Sequence, residues 1–416
     1  MKKFIFFCLP LLLSTYNSHA QSKKFISVKG KEIIGADGKP FLIKGTNLGN
    51  WLVPEGYMFR FNNTPSPRLI NEAFTELIGP EDVKNFWKKY LDNYITEEDI
   101  HYLKSIGCNS LRIPFHYKLF TDEEYMGGKG EARGFQIMDK LIGWCKNEGL
   151  YLLLDMHCAP GGQTGDNIDD SWGHPFLFDD AASRKKFIDV WVKLARRYSK
   201  ETTVLGYDLL NEPIAHFFDT AHFNPLLEPL YKEVTRAIRA VDKNHLIFLG
   251  GAQWDSNFDV FGKPFDDKLV YTFHKYWTST TVDVIKDYLA YRDKYQVPLY
   301  CGETGENNDE WVKSFRVLLD EYHIGWHFWP YKKMENKAGF VDFANPAGFE
   351  KVQAYTDSVK NNFEHMRKLR PADMVAVRKS LNDFLENSRF KNCRPNDGYI
   401  KALGFNGKIE GGGFRD

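Results

Sequence analysis

The sequence predicts a (β/α)8 TIM barrel carrying an N-terminal hairpin and a C-terminal helical extension. Three observations support this fold. Eight short apolar runs, mostly without polar alternation, recur from Phe41 onward, and such runs suit parallel strands buried on both faces. Segments of helical period separate them, as a parallel sheet requires. No Gly-x-Gly-x-x-Gly follows the first run, which removes the main support for an open dinucleotide-binding sheet. A chain of 416 residues also suits one barrel with insertions.

Residues 1–20, MKKFIFFCLPLLLSTYNSHA, read as a signal peptide. Lys2 and Lys3 form a charged start, Phe4 to Leu13 the apolar run, and Ser18-His19-Ala20 a small-x-small cleavage site. The run is too short to span a bilayer as a stable helix, and Cys8 lies inside it rather than after it, against a lipid anchor. The mature chain is expected to start near Gln21 and to be secreted or periplasmic. It is read as one domain over residues 21–416, with the barrel core at about 41–366, and as a monomer.

FISVKGKEIIGADGKP (Phe25–Pro40) reads as a hairpin with Gly35, Asp37 and Gly38 as turn material, placed to plug the N-terminal end of the barrel. FLIKGTNLG (Phe41–Gly49) supplies the first strand. An aromatic-rich insertion follows, then the helical ITEEDIHYLKSIG (Ile95–Gly107). SLRIPF (Ser110–Phe115) and LYLLLDMH (Leu150–His157) are the second and third strands, with FQIMDKLIGWCKNEG helical between them. VLGYDLLNEP (Val204–Pro213) is the fourth, after the amphipathic SRKKFIDVWVKLARRYS, and Pro213 is expected to hold Glu212 extended. HLIFLGG (His245–Gly251), LVYTFHKY (Leu269–Tyr276), PLYCGETG (Pro298–Gly305) and IGWHFWPY (Ile324–Tyr331) complete the eight, each with a helix expected after it. PADMVAVRKSLNDFLENSRF, after Lys368, reads as a helix packed on the outside.

Lys+Arg and Asp+Glu both number 55, so no net charge draws the chain to nucleic acid or an anionic membrane. No later stretch is long and apolar enough for a membrane span. Beyond Cys8 five cysteines remain, with no CxxC and no zinc spacing, so neither a disulfide framework nor a metal site is expected. Aromatics reach 15 %; most must be core, and some are candidates for stacking on sugar rings.

The polar residues are the informative part. His157, Asn211, Glu212, His274, Tyr276, Glu303 and Trp329 all fall at the last residues of expected strands, the end where barrel enzymes place their chemistry. Arg112 sits within the second strand. Taken singly, a histidine is more often a satisfied core residue, an arginine an ion-pair partner, and a tryptophan packing. Two glutamates closing separate apolar strands are harder to assign to the core, because acids are rarely buried without partners. A structural ion-pair network with Arg112 and His157 is the plain alternative. Two carboxylates about 5 Å apart over a pocket suit glycoside hydrolysis, one attacking the sugar and the other protonating the leaving oxygen.

In this order the motifs resemble glycoside hydrolase family 5, the cellulase family of retaining (β/α)8 glycosidases. They are Arg after the second strand, DMH after the third, NEP after the fourth, HxY after the sixth, Glu closing the seventh and Trp after the eighth. The resemblance runs from about Asn47 to Tyr331. It implies Glu212 as general acid/base and Glu303 as nucleophile, with Asn211 on the sugar 2-hydroxyl and Arg112 and Tyr276 orienting Glu303. It further implies that His157 and His274 shape the subsite and that Trp329 lies under the sugar ring. GTNLGNWL and HCAPGGQTGDN resemble the exo-β-1,3-glucanase branch, with departures at Asn50, Cys158, Gly162 and Thr164. Trp51, Trp172, Trp254 and Trp277 are further platform candidates, and Asn47 and Gln163 weaker hydroxyl contacts. The acidic DNIDD reads as a solvated loop rather than a calcium site.

The expected activity is therefore a retaining β-glycosidase acting on a β-glucan or related oligosaccharide, with no cofactor. A non-catalytic glycan-binding barrel, and a transglycosylase or glycosidase of another β-linked glycan or a glycolipid, are the competing readings.

Overall fold

The computed structural model describes residues 24–406. The signal peptide read in residues 1–20 lies outside the described residues. Eight parallel strands close into a barrel: β1 (Lys44–Asn47), β2 (Ser110–His116), β3 (Tyr151–Cys158), β4 (Val204–Asp208), β5 (Leu246–Gly250), β6 (Leu269–Tyr276), β7 (Leu299–Gly305) and β8 (Gly325–Phe328), with β8 back against β1. Their side chains are almost wholly buried, which is why the runs lack alternation.

Helices follow most strands and start where the sequence provides caps. Glu97–Ile106, leading into β2, opens on a capping box between Thr96 and Asp99. Asp180 accepts from the amides of Ala182 and Ser183 to start Ala181–Tyr198 after β3, and Asp219 does the same for Thr220–Arg239 after β4. The fifth unit differs from expectation. Between β5 and β6 only the four-residue turn Ala252–Asp255 forms, and Gln253 and Trp254 are left-handed within it. Gly251, Gly262 and Pro264 interrupt the segment.

The N-terminal hairpin pairs Ser27–Lys29 with Glu32–Ile34. Its turn is at Gly30, where φ is 57°, rather than at Gly35–Gly38. The latter makes a second turn, which brings the Phe41 amide back to the Ile33 carbonyl at 2.8 Å. Ile26 and Ile33 pack among Ile43, Leu153, Leu205, Leu246, Phe248, Val270 and Tyr300 at the strand starts, closing that end of the barrel.

Two insertion helices, Pro67–Ile78 and Pro80–Asn93, sit between β1 and Glu97–Ile106. The C-terminal helix Met374–Asn387 packs on Pro80–Asn93 and on Phe349–Thr356. Stacked rings fill the joint: Phe384 lies 4.9 Å from Phe59 and 5.6 Å from Phe349. Much of the aromatic content is spent here, as packing. A small sheet of Lys332–Met334, Val341–Phe343 and Arg394–Pro395, which the sequence did not signal, ties the extension to the end of β8. At its base Lys332 is fully buried. Its ammonium lies 2.7 Å from Asp99 Oδ1 and donates to the carbonyls of Tyr94 (2.6 Å) and Ser388 (2.9 Å), so all three protons are used.

Among the described residues the five cysteines are buried and unpaired, and no helix is long and apolar enough to cross a membrane.

Replacing Lys332 by Met strands the buried Asp99 carboxylate. Lys332→Met is expected to cost about 3–5 kcal/mol in denaturant unfolding, with partial recovery in Lys332→Met/Asp99→Asn. A loss below about 1 kcal/mol in the single variant would show that the pair does not hold the extension in place.

Candidate active site

Barrel register sets the site from below. Asn47 pairs with Arg112, Asp155 with Asp208, and His274 with Glu303 across neighbouring strands, so these side chains converge at one height inside the barrel. Arg112, fully buried, is the hub. Its Nε donates to Asp208 Oδ2 at 2.9 Å, Nη2 lies 3.1 Å from Asp155 Oδ1, and Nη1 donates to Glu303 Oε1. Nη1 also donates to Asn47 Oδ1 (3.1 Å) and Nη2 to Asn211 Oδ1 (3.0 Å). One guanidinium therefore faces three carboxylates. Burial pushes the Asp155 and Asp208 carboxyls up to about 7 despite Arg112 beside them.

Above the hub a cavity of about 630 Å³ opens at the C-terminal ends of the strands. Glu303 reaches it with Oε2 accepting from Tyr276 Oη at 3.1 Å. Glu212 reaches it from the end of β4, its Oε1 2.9 Å from His274 Nδ1. Carboxylate oxygens of Glu212 and Glu303 lie within 4.8 Å of each other. Their surroundings differ. Glu212 is pushed up to about 7 by burial, with the positive charge of Arg112 only partly opposing it. Burial likewise takes His274 down to about 3 and His157 down to about 4, so both imidazoles are neutral near pH 7. His157 is held by Asp155 Oδ2 at 2.8 Å and lies parallel to Trp329, ring centroids 5.7 Å apart.

The backbone at the mouth is strained. Glu212 has φ 48°, so Pro213 does not hold it extended as expected. Hydrogen bonds impose the turn: the Glu212 carbonyl accepts from Thr164 Oγ1 at 2.7 Å, its amide reaches Asp255 Oδ2 at 3.3 Å, and the amides of Ile214 and Ala215 bond the carbonyls of Gln163 and Thr164. Ile214, Gln253, Trp254, Asp255, Trp277 and Glu306 also have positive φ. Such conformations cost on the order of 1–2 kcal/mol per residue and collect where a site must be held in one shape.

Two trios, Asp155/His157/Glu303 and Glu212/His274/Glu303, bring ligand-type atoms close enough for a metal ion. Both depend on Glu303, whose Oε1 already takes the Arg112 proton. A dication there would sit against a buried guanidinium, so the donor set fits a carboxylate pair better than a metal centre.

A cellulase model, glycosyl hydrolase family 5, matches residues 72–335. The chain belongs to glycosyl hydrolase family 5. The pair of carboxylates at the cavity is consistent with a glycoside hydrolase of that family. Among curated relatives, a β-xylosidase of Phanerodontia chrysosporium is 32 % identical over 240 residues, covering 57 % of this chain and 48 % of that protein. Endoglucanase C of Acetivibrio thermocellus is 28 % identical over 312 residues, 60 % of this chain and 88 % of that enzyme. A glucan 1,3-β-glucosidase of Lachancea kluyveri is 34 % identical over 196 residues, 43 % of each. The chain thus spans about half or less of the xylosidase and the glucosidase.

Of the residues expected from the sequence, His157, Glu212, His274, Tyr276, Glu303, Trp254, Trp277 and Trp329 line this family 5 cavity. Arg112, Asn47 and Asn211 lie just beneath it. Asn47 spends its amide on the carbonyls of Gly302 and His327. Gln163 is fully engaged, donating to the carbonyls of His157 and Asn211 and accepting from the Ala159 amide, so it braces two loops. Trp51 is buried with its indole N–H on the Leu91 carbonyl, and faces a separate cavity between helices. Trp172 is exposed and carries the Arg68 guanidinium 4.2 Å above its ring, away from the cavity lining. Four residues escaped the sequence reading. Asp155 and Asp208 sit on the inward faces of their strands, a signal available from Asp155 standing two residues before His157. Glu55 and Asp255 lie in loops and carried no periodic signal.

Glu212 is protonated more readily in the fold than in the unfolded chain, so its ionisation opposes folding as pH rises. Glu212→Gln is expected to be more stable than the wild type by a margin that opens above about pH 4.5 and approaches about 3 kcal/mol by pH 8. Stability curves that stay parallel across that window would contradict the assignment.

Proposed function

We propose that this chain is a retaining β-glycosidase acting on a β-glucan or a related β-linked oligosaccharide. The observation that carries the reading is the approach of the Glu212 and Glu303 carboxylates to within 4.8 Å. That spacing suits direct attack by one carboxylate and leaves no room for a water between them, as an inverting enzyme needs. Glu303, held by Arg112 and Tyr276, is the nucleophile that bonds the anomeric carbon as the leaving oxygen departs. Glu212 is the acid that gives that oxygen its proton, and then the base that takes one from the water releasing the sugar. A group near 7 serves both halves of that cycle. The neutral His274 and His157 shape the pocket without adding charge. Similarity to an endoglucanase and to a glucan 1,3-β-glucosidase supports a β-glucan substrate.

Attack from a chain end is supported by Glu55. It is buried, lines the cavity, and its Oε1 has no hydrogen-bond partner among the described residues. Burial and the neighbouring carboxylates raise it well above the usual glutamate range. A terminal sugar hydroxyl is the natural partner for such an atom. Transfer to an acceptor sugar in place of water is a second reading, favoured by Trp254 and the exposed Trp277 beside Glu212. The leader pattern of residues 1–20 supports export from the cytoplasm.

Glu303→Gln is expected to lose roughly 1,000-fold or more in kcat on aryl β-glycosides, and the first sugar product seen by NMR is expected to keep the β configuration. Full turnover in the variant, or an α product, would overturn the reading. Glu55→Ala is expected to weaken kcat/KM on short β-gluco-oligosaccharides by about 10-fold or more. Product analysis with a labelled acceptor separates transfer from hydrolysis.

A further inference from the structure

Behind Glu212 stands a carboxyl that the mechanism has not used. Asp255 is fully buried at the end of the left-handed turn after β5. Its Oδ2 lies 3.3 Å from the Glu212 amide and 3.2 Å from His274 Nε2. Neither Nε2 nor Asp255 Oδ1 has a hydrogen-bond partner among the described residues, so the 3.2 Å contact is one that an ionised carboxylate leaves unmade. The turn is fastened from several sides. Gln253 bonds the Ile214 carbonyl through its amide and Asn224 and Asn257 through its side chain, and the Ser256 carbonyl accepts from Tyr288 Oη. Gly250 makes the room: a Cβ there would stand 1.9 Å from Asp255 Oδ1.

We propose that Asp255 is a positioning residue for Glu212, acting through His274: it donates a proton to Nε2 and so fixes the His274 tautomer that carries its hydrogen on Nδ1. Nδ1–H then donates to Glu212 Oε1, and the acid proton of Glu212 stays on Oε2, the oxygen left for the leaving group. In the other tautomer, Nδ1 would accept the Glu212 proton and draw it away from the substrate. No proton leaves Asp255 or His274 during turnover; they only hold the arrangement. The charged groups around Asp255 agree with a neutral acid. Asp208 and Glu212 face it, and the Arg112 guanidinium spends its hydrogen bonds on Asp208, Glu303, Asn47 and Asn211 and its remaining ion-pair contact on Asp155, none on Asp255. Burial and those two carboxylates hold the Asp255 carboxyl well above the usual aspartate range.

This inference rests on Glu212 being the acid of a glycosidase, and leaving-group dependence separates the two. A good leaving group needs no proton and a poor one does. Asp255→Ala is expected to lower kcat/KM by about 10-fold or more on phenyl or alkyl β-glycosides, yet by less than about 3-fold on the 2,4-dinitrophenyl glycoside. The basic limb of its kcat/KM profile is expected to move up by about half a pH unit, because Nδ1 then accepts from Glu212. Asp255→Asn, which keeps a donor towards Nε2, is expected to stay within about 5-fold of the wild type on both substrates. Equal losses on both leaving groups, or a basic limb that moves down as it would on removing a carboxylate charge, would overturn the proposal. If Asp255→Ala does not fold, the Asn variant decides alone: a large loss confined to poor leaving groups overturns it. A wild type that releases no aglycone from either glycoside would instead sink the glycosidase reading itself.

Discussion

One buried guanidinium organises the site. Arg112 lies inside the barrel with no solvent contact, and three carboxylates from three other strands close on it. Removing such charges from water costs several kcal/mol each unless geometry and hydrogen bonds offset it. Here four guanidinium protons are hydrogen-bonded, to Asp208, Glu303, Asn47 and Asn211, while Asp155 Oδ1 and Asp208 Oδ1 have no hydrogen-bond partner among the described residues. That imbalance has consequences for each neighbour. Asp155 turns part of its capacity to His157, which fixes the imidazole beneath Trp329. Glu303 takes the Arg112 and Tyr276 protons and so is held at both oxygens.

The mouth of the barrel solves a different problem. Glu212 has to stand over the cavity although its strand has already ended at Asp208. A left-handed backbone at a non-glycine residue does this, and the loop after β3 pays for it through Thr164 and Gln163. The β5 turn repeats the device at Gln253, Trp254 and Asp255. Because no helix follows β5, this turn is free to run across the barrel end and meet Glu212 from behind. The loop that breaks the regular (β/α) pattern is therefore the one that supports Glu212.

Much of this was legible in the sequence, for a physical reason. Strands buried on both faces must be apolar throughout, so a histidine or glutamate at the end of one stands out, as His157, His274 and Glu303 did. The rest depends on features with no period. Asp255 in GGAQWDSN looks like loop material, and its burial follows from three consecutive left-handed residues that no pattern announces. Glu212 is expected to close the fourth strand in an extended conformation, but the strand stops at Asp208 and Glu212 is left-handed, because the local preference before Pro213 yields to the loop that holds it. Trp51 and Trp172 matched the composition of a sugar platform, yet one closes on the Leu91 carbonyl and the other pairs with Arg68. Composition cannot tell such partners apart, since the choice is made by elements distant in sequence.

In the proposed mechanism the two glutamates, one residue type, acquire two chemistries. Glu303 sits in regular strand register, held by a cation and a phenol, which suits a group that must stay anionic and fixed until it bonds carbon. Glu212 hangs on a strained turn beside a neutral imidazole. A cationic partner there would pull the proton off before it was needed, and an anionic one would hold it too firmly to give up. A neutral donor disturbs the balance least, and so suits the proposed role, in which Glu212 gives a proton in one step and takes one in the next. Burial keeps His274 neutral, and what fixes its tautomer then decides which oxygen of Glu212 faces the sugar.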